Sequence, residues 1–439
     1  MLIAHRIELE PTKEQVDYFR RACGAARFVW NWALAEWNRL YEFGQKPKAA
    51  ALKKAFNAIK YQQFPWLTEI HRDAHAQPFA HLGKAWNRFF DNIKSGSKAH
   101  APVFKKRGQC VDSFYVANDK LTMSEMSVRL PVIGHVKLKE SLRFGGRILG
   151  ASVQRDADKW FLSVQVEVDV SWLIKENRRP VLGVDLNVAG IVCSDGKLFD
   201  TPLPLKKAAR RMRMQQRSIS RKLEAATRSV GIEPGKRIPK GTKLPVSKNR
   251  AKASRRLADR HYKVKCIRHD FLHKTTSTIA RENQTVVIED LSVKGMTSSS
   301  KGDIDNPGKC VKQKAGLNRS ILDVGFYEFR RQLTYKAEKY GTFLMVADRF
   351  YPSSKRCSCC GSINATLTLK DRTWTCATCN TIHDRDFNAS VNLEQLALLP
   401  EAFGKVTSVR HDIRHQKESG QKPQTREGEH HAHICARFG

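Results

Sequence analysis

Four cysteines in the last quarter of the chain constrain its fold more than any other feature. Cys357 and Cys360 form one Cys-x-x-Cys pair, Cys376 and Cys379 form a second, and 15 residues separate the pairs. This spacing lies within the range of four-cysteine zinc ribbons, in which each pair turns the chain so that both thiolates face one ion. Because four thiolates leave no open coordination position, we expect a structural Zn²⁺ at this site.

The residues around the two pairs are typical of such a ribbon. Gly361 allows a tight turn after the first pair, and the segment from Thr366 to Trp374 is expected to form the β-hairpin of the ribbon. Cys359 lies between the two cysteines of the first pair. Only one residue separates it from Cys357, which is too short for a Cys-x-x-Cys pair, so Cys359 is not counted as a ligand. The cysteines outside this cluster are scattered singly, which is typical of free thiols in a reducing compartment.

The charge of the chain indicates a polyanionic partner. Its 439 residues include 78 Lys and Arg against 43 Asp and Glu, which gives a formal net charge of +35. Nucleic acid is the first candidate for such a partner, and an anionic membrane surface is the second. No run of about 18 apolar residues is present, and the first residues lack the apolar stretch of a secretion signal. A membrane partner is therefore disfavoured, and a cytosolic location close to the nucleoid is expected.

Most of the excess positive charge lies between residues 206 and 268. This segment holds 22 Lys and Arg against three acidic residues, and it is expected to form two helices, at 204–228 and 248–282. Like charges destabilise a helix unless an anion neutralises them, so contact with nucleic acid is favoured over a solvated surface. The positions expected to make this contact are basic residues of the two helices: Arg210, Arg211, Arg213, Arg217, Arg221, Lys222, Arg255 and Arg256.

The first 178 residues predict a helical unit and a small β-barrel. Residues 1–10 alternate apolar and polar positions as a strand does, whereas residues 11–100 show helical spacing after a capping box at Thr12–Gln15. Residues 101–178 return to short strand-like runs, and we expect them to form the barrel together with the first strand. Five tryptophans precede residue 96 and are interpreted as helical core; base stacking by one or two of them is the alternative.

Three acidic residues form the candidate active site. Asp185 and Glu289 each lie in a strongly apolar strand, where a carboxylate is costly unless a cation compensates its charge. Capping of a loop is the alternative role for each of these two. A third acid, Asp386, follows the ribbon at a helix start, where an N-cap is the alternative role. Three carboxylates in this order can hold two Mg²⁺ ions, which favour oxygen ligands and promote phosphodiester hydrolysis.

The acidic strands, the ribbon and the last acidic motif form a recognisable series. Its members are Gly183–Asn187, Ile288–Leu291, the two Cys-x-x-Cys pairs and Asp384–Ala389, with weaker matches at Phe28–Leu34 and Phe350–Lys355. This series resembles the TnpB family of RNA-guided nucleases, which bacterial insertion sequences encode and which are considered ancestral to the type V CRISPR effectors. The resemblance spans about residues 1–400.

The resemblance implies a function. Family members bind a guide RNA derived from the transposon end, recognise a short motif beside the target and cut the target DNA. Their Asp-Glu-Asp triad maps onto Asp185, Glu289 and Asp386, with Asp386 preferred to Asp384 because it stands two residues before the Asn-Ala pair. The resemblance therefore implies a divalent-metal-dependent endodeoxyribonuclease with two catalytic Mg²⁺ ions, and no further protein partner is required.

The resemblance also implies an α/β multidomain architecture. Strand 1–10 and residues 101–178 would form a wedge β-barrel, and residues 11–100 a helical recognition unit. A RuvC-like nuclease domain with an RNase H-like fold would begin with residues 179–350. The remaining expected segments are the basic helical insertion 204–282, a mobile lid loop at 292–316, a helix at about 320–340, a strand at 342–347, the zinc ribbon at 351–383, the last nuclease helix within 384–403 and a disordered tail at 404–439.

Two other functions agree with parts of this pattern. A guide-dependent DNA-binding repressor that does not cut is expected to lack one of the acids, whereas Asp185, Glu289 and Asp386 are all present. An RNase H-like transposase also uses three carboxylates, so the acids alone do not separate it from a TnpB nuclease. The ribbon between Glu289 and Asp386 favours the TnpB interpretation.

Overall fold

The computed structural model describes residues 1–169, 176–233, 235–239, 241–245, 247–368 and 370–398. The expected disordered tail at 404–439 lies outside these residues. The protein is a mixed α/β chain that divides into two units. The first unit comprises Met1–Trp172 and Pro204–Ile267, and the second comprises Leu173–Leu203 and Arg268–Gly439.

A seven-stranded antiparallel sheet forms the centre of the first unit. The alternation predicted for residues 1–10 is confirmed, because Ile7 and Leu9 are buried while Arg6 and Glu10 are exposed. The hydrogen-bonded order is β2-β6-β7-β1-β5-β4-β3, and closure of this sheet into a barrel stays a prediction. The strands are β1 (Leu2–Glu10), β2 (Ser113–Ala117), β3 (Thr122–Met123), β4 (Ser127–Leu130), β5 (Gly134–Leu138), β6 (Arg147–Asp156) and β7 (Lys159–Glu167).

Three helices pack with this sheet: α1 (Lys13–Glu42), α2 (Ala49–Gln63) and α3 (Arg72–Lys94). The capping box is confirmed, since the amide of Gln15 donates to the Thr12 hydroxyl and the amide of Thr12 donates to the Gln15 side chain. Trp30 and Trp37 belong to the buried core, as predicted for the tryptophans of this region. Trp66, in contrast, is 44% exposed.

The two basic helices are observed where the sequence predicts them, as α4 (Pro204–Arg228) and α5 (Lys248–Glu282). Few side chains of α4 are buried, Met212 among them, because most positions of the helix are polar or charged. The boundary between the two units falls within α5, after Ile267. In the part of the chain that the structure describes, no helix combines the length and the apolar character needed to cross a membrane.

A mixed five-stranded sheet forms the centre of the second unit, in the order β10-β9-β8-β11-β12. The strand β8 pairs antiparallel with β9 and parallel with β11, which in turn pairs parallel with β12. The sequence analysis missed β10, because its three residues are largely exposed and show no apolar alternation. The strands are β8 (Arg179–Leu186), β9 (Gly190–Cys193), β10 (Leu198–Asp200), β11 (Asn283–Ile288) and β12 (Phe343–Val346).

Two expectations about residues 292–340 are corrected by the structure. The expected lid loop contains a short helix, α6 (Val293–Met296), and ends where α7 (Val311–Val324) begins. The expected single helix at 320–340 is two helices, because Gly325 adopts a left-handed φ of 82° between α7 and α8 (Phe326–Tyr340). Only glycine adopts this conformation readily, so the helix is interrupted there.

The β-hairpin of the cysteine cluster is also placed differently from the prediction. The expected hairpin at Thr366–Trp374 is wrong, because β13 (Thr373–Thr375) pairs with β14 (Ile382–Asp384) around the second cysteine pair. The preceding residues instead form local turns, in which Asn364 accepts from the amide of Thr366. Asparagine side chains stabilise such turns at the expense of strand pairing. The last helix, α9 (Arg385–Leu396), begins one residue before its predicted start.

Candidate active site and metal centre

Two of the candidate catalytic acids lie side by side at one edge of the central sheet. Val184 on β8 pairs with Ile288 on β11 in parallel register, so the next residues, Asp185 and Glu289, lie at the same edge of the sheet. The hydrophobic core flanks this edge, and Asp185 is only 8% exposed. The structure therefore brings together two acids that lie about 100 positions apart in the chain.

The helix α9 contributes the third acid. Asp384 caps this helix by accepting a 2.8 Å hydrogen bond from the amide of Phe387, so Asp386 is not the N-cap. The Asp386 carboxylate instead accepts a 3.0 Å hydrogen bond from the Asn187 side chain, which follows β8 by one residue. A cation, the Arg372 guanidinium, lies 3.4 Å from the same carboxylate. The alternative capping role thus belongs to Asp384.

A glycine on β8 allows α9 to approach the sheet. A Cβ atom at Gly183 would lie 1.9 Å from the backbone oxygen of Ser390 and 2.5 Å from the backbone nitrogen of Glu394. Both atoms belong to α9, and neither can move without a shift of the helix. Gly183 therefore sets the distance between the strand that carries Asp185 and the helix that carries Asp386.

The three carboxylates share one electrostatic environment. Burial raises the pKa of Asp185 well above its usual range, and the nearby charges of Glu289 and Asp386 raise it further. Burial also raises the pKa of Glu289, although the hydroxyl of Ser353 and the charge of Arg385 oppose this effect. A divalent cation between these groups would compensate their mutual repulsion.

Two neighbouring residues complete the site, and the sequence analysis missed both. The Asn187 carbonyl oxygen accepts from the amides of Ala189 and Gly190, at 2.9 and 2.8 Å, so its NH₂ group must face Asp386. Ser353 is buried, and its hydroxyl donates to the Glu289 carboxylate. An asparagine after a strand is a recognisable turn signal, but no local pattern reveals the Ser353 contact.

The four predicted cysteine ligands converge. The Sγ atoms of Cys357, Cys360, Cys376 and Cys379 all lie within 4.8 Å of one another, and among the described residues no other set of three or more His, Cys, Asp or Glu ligands is this close. Four thiolates at such distances fit a tetrahedral metal ion. Cys359 is exposed and lies outside this cluster, as the sequence analysis expected.

The two cysteine pairs adopt matching turns. The residue after each pair has a positive φ, which is 77° at Gly361 and 57° at Asn380. Each of these residues donates its amide to the carbonyl of the first cysteine, Cys357 or Cys376, at 2.9 Å. The role predicted for Gly361 is confirmed, and Asn380 fills the same position because asparagine tolerates this conformation better than most residues.

Polar groups surround the cysteine sulfurs. The ring nitrogen Nε2 of His383 lies 3.0 Å from Cys357 Sγ, and the ring packs against Trp374 with centroids 4.8 Å apart. Hydrogen bonds from the Ser362 hydroxyl and from backbone amides lower the pKa of Cys376 to about 5, whereas burial raises the pKa of Cys357 to about 12. A bound cation would favour the thiolate form of both residues.

The predicted nucleic-acid contacts lie on a largely exposed surface. Along α4, the arginines 213, 217 and 221 recur every fourth residue and line one open groove. Two of the predicted residues contact other side chains of the protein: Arg255 forms a 2.5 Å ion pair with Asp158, and Lys222 donates to the Ser218 hydroxyl. The remaining predicted positions, Arg210, Arg211 and Arg256, are exposed to solvent.

Comparison with known proteins gives three family matches. Residues 162–300 match the family described as "Probable transposase" of the OrfB_IS605 group, and residues 1–46 match a "Helix-turn-helix domain" of the same group. In the structure these first residues form one strand and one long helix. Residues 326–393, which include the cysteine cluster and Asp386, match the family described as "Cas12f1-like, TNB domain".

Two relatives match the chain over nearly its whole length. A protein of Escherichia coli K12 with the name "Putative RNA-guided DNA endonuclease InsQ" is 32% identical over 398 residues, which cover 89% of this chain and 91% of the relative. A Streptomyces pristinaespiralis protein named "Putative RNA-guided DNA endonuclease" is 30% identical over 427 residues, covering 95% of this chain and 93% of the relative. Among solved structures, a "Cas12f1-sgRNA-target DNA complex" matches with a TM-score of 0.48 and 15% identity, covering 89% of this chain and 84% of the other.

Proposed function

This chain belongs to the TnpB family of insertion-sequence proteins, and on that premise we propose that it is an RNA-guided DNA endonuclease. The observation that carries the proposal is the convergence of Asp185, Glu289 and Asp386 at one sheet edge in a chain whose full-length relatives bear that name. Its partners are a guide RNA from the transposon end and a target DNA beside a short adjacent motif. It acts in the cytosol at the nucleoid, where its substrate lies.

The second unit contains a RuvC-like nuclease domain with an RNase H-like fold. The mixed sheet supports this assignment, since Asp185 lies near the end of β8, Glu289 follows the adjacent parallel strand β11, and Asp386 lies at the start of α9. Ligands in sheets of this kind bind beyond the carboxyl ends of the parallel strands. Residues 179–350 supply the first part of the domain and α9 (Arg385–Leu396) its last helix. The residues at 292–310, before α7, form its lid.

Asp185, Glu289 and Asp386 hold two Mg²⁺ ions. Carboxylate oxygens are the ligands that Mg²⁺ prefers, and the mutual repulsion of the three acids supports the binding of cations between them. When bound, such ions activate a water and stabilise the departing oxygen of the phosphodiester. The protein's own groups hold the carboxylates in place, with Asn187 donating to Asp386 and Ser353 donating to Glu289.

Residues 351–383 form a zinc ribbon with a structural Zn²⁺ on Cys357, Cys360, Cys376 and Cys379. The closed set of four sulfurs supports this role, because it leaves no position for substrate. In the first unit, residues 11–100 form the recognition part, and strand 1–10 with residues 101–178 forms the wedge. These parts hold the guide scaffold and the target duplex.

The proposal is tested by expressing the protein together with its flanking transposon DNA. We expect a discrete RNA to copurify, and we expect the complex to cut a plasmid library with a randomised sequence beside the target. Sequencing of the RNA and of the cut plasmids identifies the guide and the adjacent motif. Absence of a discrete RNA would contradict guided cleavage, whereas guided binding without cuts would favour the repressor function.

The basic helices contact phosphates of the bound nucleic acid, and their contribution is measurable through salt dependence. Replacing the three groove arginines (213, 217 and 221) by glutamine should reduce the slope of log affinity against log salt by roughly two, since each lost phosphate contact removes roughly 0.7–0.9. Arg228→Gln on the same helix is the control, because its guanidinium already pairs with Glu224. An unchanged slope in the triple variant would identify this face as solvated surface.

A further inference from the structure

The hydroxyl of Ser353 contacts the candidate active site from the segment of chain that leads into the cysteine cluster. It donates a hydrogen bond to Oε1 of Glu289, and the Ser353 residue is only 4% exposed. A buried hydroxyl beside a carboxylate is strongly held, since hydrogen bonds to a charged acceptor are shorter and stronger than neutral ones. The bond also engages one oxygen of Glu289 and leaves the other oxygen available.

The backbone around Ser353 is fixed by the helix that carries Asp386. The side-chain NH₂ of Asn392 on α9 donates to the carbonyl of Ser353 at 2.7 Å and to the carbonyl of Arg356 at 2.6 Å. In return, the hydroxyl of Tyr351 donates to the backbone carbonyl of Asn392 at 3.2 Å. Because Asn392 is fully buried, water does not compete for these hydrogen bonds. The position of the Ser353 hydroxyl is therefore set by α9.

These contacts connect two catalytic acids through one serine. Glu289 follows β11 and Asp386 lies on α9, and Ser353 is bonded to the side chain of the first and to the helix of the second. A displacement of α9 relative to the sheet would therefore also move the partner of Glu289. Groups that hold metal-binding carboxylates in this way contribute to metal affinity without touching the ion.

We propose that Ser353 is a positioning residue of the nuclease, which holds Glu289 in the orientation that binds the divalent cation. The inference rests on the proposed function of Asp185, Glu289 and Asp386. It goes beyond that function by assigning a role to a residue outside the acidic triad. Ser353 itself contacts neither the cation nor the substrate.

A matched pair of variants separates the contribution of the Ser353 hydroxyl to metal binding from the contribution of side-chain packing. Ser353→Thr keeps the hydroxyl, whereas Ser353→Val has nearly the same shape as threonine and lacks it. We expect the valine variant to need about tenfold more Mg²⁺ for half-maximal cleavage and to bind Mn²⁺ about tenfold more weakly in calorimetry than the threonine variant. Both measurements use the complete complex of protein and guide RNA.

Two controls define the alternative outcomes. Ser354→Ala, at the neighbouring position, should leave the Mg²⁺ dependence and the Mn²⁺ affinity unchanged. Bound zinc and the unfolding temperature should be the same for the threonine and valine variants. If these two variants require the same Mg²⁺ concentration and bind Mn²⁺ equally, the positioning role is excluded.

One further variant separates this inference from the proposed function on which it rests. Glu289→Gln should abolish cleavage if the triad is the nuclease site. If Glu289→Gln cuts as well as the unchanged protein, the proposed triad itself fails. If Glu289→Gln is inactive while the threonine and valine variants behave alike, only the role of Ser353 fails.

Discussion

Asp185→Asn is expected to lower DNA cleavage by about 10³-fold or more while guide-dependent binding of the target persists. Asparagine has nearly the shape of aspartate, so packing at the end of β8 is preserved. It lacks the negative charge that a Mg²⁺ ligand needs at this buried position. Cleavage and binding are measured on the same labelled target, and retained cutting would remove Asp185 from the triad.

The same variant should unfold at a higher temperature than the unchanged protein when divalent metal is removed. Burial raises the pKa of Asp185 in the folded chain, so the folded state binds more protons than the unfolded state above the usual aspartate range. The free energy of unfolding therefore falls as the pH rises from the usual aspartate pKa to the raised pKa of Asp185. Asparagine does not ionise, so this loss disappears.

Calorimetry at neutral pH in the presence of a chelator measures this difference. The increase in unfolding temperature caused by Asp185→Asn should be smaller in acidic buffer, where the Asp185 carboxyl of the unchanged protein is protonated. It should also shrink with added Mg²⁺, because a bound cation stabilises the ionised carboxylates. A variant that is less stable than the unchanged protein in metal-free buffer would contradict the electrostatic account of the site.

Gly183→Ala is expected to destabilise the second unit by about 3 kcal/mol or more and to abolish cleavage. The added methyl group would lie 1.9 Å from the backbone oxygen of Ser390, so α9 must move away from β8. That shift carries Asp386 away from Asp185. The loss of stability is measured from the unfolding transition of the second unit, and the loss of cleavage in the guided assay.

Gly316→Ala is the matched control. Gly316 lies within α7, and the nearest atom to an added Cβ is the end of the flexible Arg319 side chain at 4.0 Å. Alanine favours helix over glycine by about 0.5–1 kcal/mol, so this variant should be equally stable or more stable. If the two variants have the same effect, the contact between Gly183 and α9 does not determine the stability of the unit.

Regular elements with strong side-chain patterns were predictable from the sequence. The basic helices α4 and α5 have their predicted bounds, because the connector between them contains both glycine and proline, whereas neither residue occurs within the helices after Pro204. The strands β8 and β11 were predictable from their apolar runs. The exposed strand β10 has no such run, and it forms only because β9 supplies a hydrogen-bonding edge. Pairing of this kind depends on tertiary context rather than on local pattern.

The candidate site was predictable only in part. The three acids were predictable because a carboxylate is energetically costly in an apolar strand, as at Asp185 and Glu289, or because it lies beside a metal-ligand motif, as at Asp386. Asn187 and Ser353 did not, since serine and asparagine are ordinary in loops. Their roles depend on partners 199 and 64 positions away in the chain, and sequence periodicity carries no information about such contacts.

The distance along the chain between the residues of the site also determines when during synthesis the site can form. Asn187 and its partner Asp386 are 199 residues apart, and a ribosome adds about 5–20 residues per second. The second basic helix, α5, is therefore complete roughly 5–20 s before synthesis of α9 begins. A nascent or interrupted chain that ends before Arg385 would hold its phosphate-binding surface but lack the third carboxylate. On the proposed function, such a chain would bind nucleic acid without cutting it, because it lacks Asp386.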